Sequence, residues 1–209
     1  MRRTTRKPRV KRVVEFGSGS NELFRGRVLG RLVRHSERSK KPVLYVAFDI
    51  GTQKPARFSH GLVRGFYMFG DIRKIHYPLQ NNSVHEIHIH MVTSPPAEGM
   101  ENFRKWVDEI HRVLSPKGRL YLSFDHLFID TESTKSTKPL KSLEMLVEDK
   151  RFKVRFGRIS PRAFLLASNG SIFEKWWMKK PDQKPAFHVA KFSDGGGLNT
   201  LGFIVLQKK

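Results

Sequence analysis

The stretch Glu15-Phe16-Gly17-Ser18-Gly19-Ser20 is the first place in the 209-residue chain where residue type and spacing suggest chemistry. It follows an apolar run and opens a helical pattern. Glycines in such a turn let backbone N–H groups approach a ligand closely, and the helix N-terminus adds a dipole that favours negative charge. A dinucleotide fingerprint would place its third glycine at position 22, where Glu22 would repel a pyrophosphate. The loop therefore suits a ligand with less negative charge than NAD. Further along, Asp49, Asp125 and Glu174 follow apolar residues, Asp71 follows a glycine, and His85, His88 and His90 form a dense group. His88 and His90 would share one face of a strand, but no third ligand is predicted and no metal is expected. No Ser/His/Asp order stands out for nucleophilic catalysis. There is no cysteine, which excludes disulfides, thiolate nucleophiles, iron–sulfur clusters and Cys-based zinc sites, and fits a reducing, cytoplasmic setting.

These groups need a scaffold that brings them together. Val13–Phe16 reads as a strand, followed by helical periodicity from about Glu22 to His35. Val43–Phe48 is a second strand, ending at Asp49 and Gly51. Between Thr52 and Gly70 a helix is expected to start near Ser59, and Gly65–Phe69 to form a third strand. Asn81–Ser83 make a turn, and His85–Val92 alternates as a strand with Ile87, Ile89 and Met91 on one face. Phe103, Trp106, Val107, Ile110, Val113 and Leu114 recur at three and four, predicting a helix over Glu101–Leu114. Ser115-Pro116-Lys117-Gly118 is a turn, then Arg119–Phe124 a strand, Leu140–Glu148 a helix, Phe152–Ile159 a strand and Leu201–Leu206 a last strand. Strand and helix alternate, so the expected fold is α/β: a doubly wound, mostly parallel, seven-stranded sheet with helices on both faces. Ligands of such sheets bind at the carboxyl ends of the strands.

Lys and Arg number 40 against 19 Asp and Glu, a net charge of +21 that favours a polyanionic partner. A generally basic composition that serves solubility accounts for the same number, so the distribution matters. Arg2, Arg3, Arg6, Lys7, Arg9, Lys11 and Arg12 make an acid-free arm over residues 1–12, similar to a nucleic-acid tail or a targeting segment. A cleaved presequence is not expected, because cleavage would cut into the strand beginning at about Val13. Arg27, Arg31, Arg34 and Arg38 are spaced four, three and four, which places them on one helical stripe, either a solvated face or a phosphate-tracking surface. Lys175-Trp176-Trp177-Met178-Lys179-Lys180 interleaves indoles with ammonium groups, as unpaired RNA requires, although one Trp packing into the core explains it equally. The hydrophobic content of 38%, with 16 Phe, argues against disorder. No run of eighteen apolar residues occurs to span a membrane. Residues 13–209 are expected to form one domain with a basic, aromatic, substrate-side insertion at about 160–198.

In this order the residues resemble the class I S-adenosylmethionine-dependent methyltransferase family, over about residues 12–159 plus the last strand. The family's acidic-x-Gly-x-Gly-x pattern is matched by Glu15, Gly17 and Gly19, with Ser20 in place of the usual third glycine. Asp49 takes the place of the acidic residue that accepts bonds from the ribose hydroxyls. Gly70-Asp71 match a pair whose carboxylate faces the adenine amino group, with Ile72 flanking the ring. The resemblance implies a Rossmann-like methyltransferase sheet and S-adenosyl-L-methionine as cofactor. It would be held by Glu15, Phe16, Gly17, Ser18, Gly19, Asp49, Ile50, Asp71 and Ile72, with His90 lining the donor pocket. His85 replaces the aspartate usual near the start of the fourth strand. A sulfonium cation and an ammonium group favour Glu15 nearby, and a ribose diol favours Asp49.

A narrower resemblance is to tRNA (guanine-N7) methyltransferases. Phe124-Asp125 is similar to that family's Thr-Asp, and Ser171-Ile172-Phe173-Glu174 to its Thr-x-Phe-Glu. Met91-Val92-Thr93-Ser94-Pro95-Pro96 stands where the family has Phe-Pro-Asp-Pro-Trp, without the Asp and Trp. The resemblance implies Asp125 and Glu174 as groups orienting a guanine. N7 is already an acceptor, so methyl transfer needs positioning more than a strong base. The readings carried forward are an enzyme acting on RNA (tRNA or rRNA), one acting on a small molecule or lipid head group, and a basic RNA- or ribosome-binding protein whose donor pocket has decayed.

Overall fold

The computed structural model describes residues 10–17, 22–49, 55–71, 76–89, 99–125, 141–159, 187–189 and 200–209. Their strands are β1 (Lys11–Phe16), β2 (Val43–Asp49), β3 (Ala56–His60), β4 (Val63–Phe69), β5 (Val84–Ile89), β6 (Leu114–Asp125), β7 (Phe152–Ile159), β8 (Phe187–Val189) and β9 (Thr200–Lys208). The helices are α1 (Glu22–Ser39), α2 (Gly99–Val113) and α3 (Lys141–Glu148). All nine strands join one sheet in the order β3-β4-β2-β1-β5-β6-β9-β7-β8. β4, β2, β1, β5 and β6 are mutually parallel, and β9 runs antiparallel between β6 and β7. The expected seven strands are therefore present, with a short extra strand at each edge.

Helices cover both faces because the strands bury both. Val13, Tyr45, Ala47 and Val63 face Val28 and Leu32 of α1. Val14, Phe16, Ile87, Ile89, Leu120 and Leu122 face Phe103, Trp106 and Ile110 of α2 and Leu146 of α3. Trp106 and Ile110 are wholly buried, as the three-and-four spacing on α2 requires. At the other end of α1, Lys40 takes a left-handed conformation (φ 53°) and Pro42 follows, which stops the helix.

Three departures from expectation bear on the architecture. β1 begins at Lys11, so Lys11 and Arg12 belong to the sheet and not to a free arm. No helix starts near Ser59: β3 and β4 form an antiparallel hairpin through Gly61, whose φ is 56°. β3 escapes a periodicity reading because it is an edge strand with both faces largely exposed, so Arg57, Ser59 and His60 break any apolar alternation. β6 is one strand through the predicted turn, yet the turn is real. Val84 pairs with Leu114 and Glu86 with Arg119, so residues 115–118 loop out, with Lys117 left-handed at φ 63°.

Candidate functional site

The chain order β1, β2, β4 runs one way across the sheet and β5, β6 the other, so β1 and β5 flank a topological switch point. Crevices in open α/β sheets form there, outside the carboxyl ends of the strands. The register fixes what stands at that edge. Phe16 pairs with Phe48, and Asp49 pairs with Phe69. Beyond those pairs the Gly17 N–H donates to the Phe48 carbonyl at 3.0 Å, and the Gly70 N–H to the Asp49 carbonyl at 3.2 Å. Gly17, Asp49 and Gly70-Asp71 thus end three adjacent parallel strands, each roughly 4.8 Å from the next.

Both glycines are required, Gly17 by its backbone conformation and Gly70 by a neighbouring ring. Gly17 has φ 72°, where a side chain would be strained. A Cβ on Gly70 would lie 2.6 Å from Cδ1 of Phe48. Phe48 cannot yield freely, because its ring stacks on Phe16 at 5.3 Å, and Phe16 in turn packs on Tyr77 at 4.7 Å. Phe16 therefore offers a ligand its main chain only; its side chain is core.

Glu15 lies one residue inside the edge, on the α1 face of the sheet and almost fully buried. Its carboxylate accepts a hydrogen bond from the Tyr45 hydroxyl. Burial pushes Glu15 up to about 7, against the lowering influences of Tyr45 and of the Arg31 charge. Near neutrality it is therefore poised between neutral and anionic, and a cation brought beside it would favour the anion.

Farther along the same face lies a polar cluster that sequence reasoning missed. Glu86 receives Lys11 Nζ at 2.8 Å and Arg31 Nη2 at 3.1 Å. Arg31 Nη2 is also 2.9 Å from His88 Nε2. A guanidinium can only donate, so Nε2 accepts and the neutral ring carries its proton on Nδ1. The 3.3 Å between His88 Nε2 and Glu86 Oε2 then separates two acceptors that share one donor. His88 stacks on Tyr121 at 4.3 Å, and Arg31 lies over the same Tyr121 ring at 5.3 Å. Burial holds the His88 pKa down, with Arg31 adding to the effect. Burial alone would raise Glu86, but the hydrogen bond and charge of Lys11 prevail and hold it below the ordinary carboxylate range.

On the opposite face α2 clamps the segment entering β5. The Tyr77 N–H donates to Glu109 Oε1 at 2.7 Å, and Trp106 Nε1 donates to the Tyr77 hydroxyl at 3.0 Å. Arg112 holds Glu109 at 2.6 Å and donates to the carbonyls of Leu79 and Tyr77 at 2.9 and 3.2 Å. Asp71 stands near enough to raise the Tyr77 hydroxyl pKa, after the larger effect of burial and alongside Glu109.

The structure splits the arginine stripe of α1. Arg31, Arg34 and Arg38 are all exposed, but Arg31 alone reaches the sheet, where it is engaged by Glu86 and His88. Arg27 lies within α1. Asp125 ends β6 opposite Thr200, next to a register shift, on the same carboxyl edge as Gly17. Ser18, Gly19, Ile50, Ile72, His90, Glu174, Lys175, Trp176, Trp177, Lys179 and Lys180 lie outside the described residues. Among the described residues no cluster of His, Asp and Glu has metal-ligand geometry, and no helix is long and apolar enough to cross a membrane. Tyr45, Glu86 and Tyr121 had no sequence signal of their own, because each finds its partner through strand pairing or helix packing and not through spacing.

No protein-family profile matches the chain, and no curated protein matches it either. Solved structures do. A TehB-like SAM-dependent methyltransferase from Corynebacterium glutamicum is 14% identical with a TM-score of 0.44, over 97% of this chain and 82% of that one. A SAM-dependent methyltransferase from Mesorhizobium loti is 12% identical with a TM-score of 0.43, over 94% and 90%. A chain from the Haloferax volcanii complex of the Trm112 methyltransferase activator is 20% identical with a TM-score of 0.34; this chain spans 44% of its length. The fold stands on the strand order itself.

Proposed function

We propose that the protein is an S-adenosylmethionine-dependent methyltransferase acting on RNA. One observation supports this above the others. Gly17, Asp49 and Gly70-Asp71, taken from three distant parts of the chain, end neighbouring parallel strands at the switch point. The donor set fits the cofactor: bare main chain at Gly17, a carboxylate at Asp49 for a ribose diol, a second at Asp71 for an exocyclic amine, and Glu15 behind the turn for a cationic head. Bound there, S-adenosylmethionine would supply an electrophilic methyl group. The chain's own part is to hold and align, since in-line displacement at a methyl depends chiefly on approach geometry. Asp125, at the carboxyl end of β6, and Glu174 would orient the acceptor base by taking hydrogen bonds from it; in the narrower form of the reading the acceptor is guanine N7. The net charge of +21 favours a polyanionic acceptor.

Incubation with methyl-labelled donor and total RNA, followed by nucleoside analysis, tests the reading. A labelled nucleoside is expected, at N7 of guanine for the narrower form. Asp125→Ala and Glu174→Ala should lose transfer and keep donor affinity. Absence of label in every RNA pool, with donor binding intact, would move the acceptor away from RNA.

A further inference from the structure

Among the described residues, no helix covers one end of the sheet on the side away from α1. The β3–β4 hairpin stands where a helix was expected, and the cluster under α2 and α3 covers β1, β5, β6, β7 and β9 and reaches Val46 and Phe48 of β2. The register builds the exposed surface row by row. Arg12, Leu44, Arg64 and Ser59 form one row across β1, β2, β4 and β3, and Val46, Phe66 and Arg57 lie in the next. Met68 follows, beside Phe48. Arg12, Arg57, Arg64, Ser59 and Met68 are exposed, while Leu44 and Phe66 are half-buried. The Arg57 guanidinium lies over the Phe66 ring, 5.6 Å from its centre. Residues 56–69 contain Arg57, His60 and Arg64 and no acidic residue. Among the described residues no carboxylate pairs with Arg12, Arg57 or Arg64, in contrast to Lys11 and Arg31 on the other face.

We propose that this end of the sheet binds single-stranded RNA, with Arg12, Arg57 and Arg64 on phosphates and Phe66 with Arg57 as the platform for a base. The assignment rests on the RNA reading above. Charge complementarity selects a polyanion. A face that carries an aromatic ring with a guanidinium over it selects one with unpaired bases, because every base offers a π-face to such a platform. A duplex hides those faces and offers phosphates alone.

Anisotropy of the full chain with a labelled oligouridylate of about twelve nucleotides tests this, since sites of about 4–16 nucleotides are usual for stacking surfaces. The triple variant Arg12→Gln, Arg57→Gln and Arg64→Gln alters only exposed side chains. It should weaken binding about tenfold or more and flatten the dependence of log K on log salt by about 2. A control removing three exposed charges elsewhere, Arg104→Gln, Lys150→Gln and Lys153→Gln, should cost less than about threefold. Phe66→Leu should weaken single-strand binding and leave a duplex of equal length unaffected. Equal losses in the two triple variants would mean diffuse charge and overturn the proposal. So would wild-type RNA affinity in the first triple variant, or its selective loss of binding to vesicles of phosphatidylserine and phosphatidylcholine. Should the first triple variant still bind and methylate RNA, the surface is refuted and the RNA substrate stands. Should the wild-type chain neither bind nor methylate RNA, both fall together.

Discussion

The Tyr45 hydroxyl donates to the Glu15 carboxylate across adjacent strands, inside the face covered by α1. The pair joins the second strand to the turn proposed to hold the donor, and it gives that turn a pH-sensitive neighbour.

The sign of the pH effect follows from the direction of the shift. Glu15 titrates near 4.5 unfolded and at about 7 folded. Below pH 4.5 both states hold the proton; between 4.5 and 7 the unfolded state alone releases it, so folding weakens as pH rises and levels off above 7. At 1.36 kcal/mol per unit this amounts to about 3 kcal/mol. Urea titrations at pH 5 and pH 8 should show Glu15→Gln losing this decline and Tyr45→Phe deepening it. Parallel profiles for wild type and Glu15→Gln would refute the assignment.

Glu86 behaves in the opposite sense. Its folded value lies below the ordinary 4.5, so its contribution is complete above pH 4.5 and is lost as pH falls through the folded value. Glu86→Gln leaves Lys11 and Arg31 without their shared anion and should cost about 2 kcal/mol at neutral pH, allowing for the partial exposure of both cations. The urea midpoint should fall at pH 7, and the variant's deficit should shrink in acid. An unchanged midpoint would show the cluster to be dispensable.

Gly65 allows β3 to lie against β4. A Cβ there would stand 1.9 Å from Cζ of Phe58. Gly65→Ala should destabilise by about 1–3 kcal/mol, and by less than half of that in a Phe58→Ala background, because the clash partner is gone. Additive effects would mean that the ring is not what excludes a side chain.

The clamp on the segment entering β5 makes a local prediction. Glu109→Gln weakens the charged acceptor for the Tyr77 N–H and the partner of Arg112. Amide exchange at Tyr77 should accelerate about tenfold or more, the equivalent of about 1.4 kcal/mol of local stability, while exchange in β1 and β2 is unchanged. Uniform acceleration would indicate global and not local loosening.

The parts of the fold with clean periodicity were legible from the residues. α2 shows its core stripe because one face meets only apolar strands. The turn at 115–118 announces itself through Pro116 and Gly118, and a Cβ on Gly118 would lie 2.7 Å from the Ser115 carbonyl. Gly17 and Asp49 were readable as strand ends because an apolar run stops at each. The hairpin was hidden by the polarity of an edge strand. Arg31 looked like one of four equal surface charges; only the strand register reveals Glu86 and His88 beneath it.

Calorimetric titration of the full chain with S-adenosylhomocysteine, beside Asp49→Ala, reaches the account's centre most directly. Saturable one-to-one binding to the wild type is expected, weakened at least about tenfold by the loss of two hydroxyl-to-carboxylate hydrogen bonds in the variant. No heat of binding from a wild-type chain whose fold is intact would contradict it.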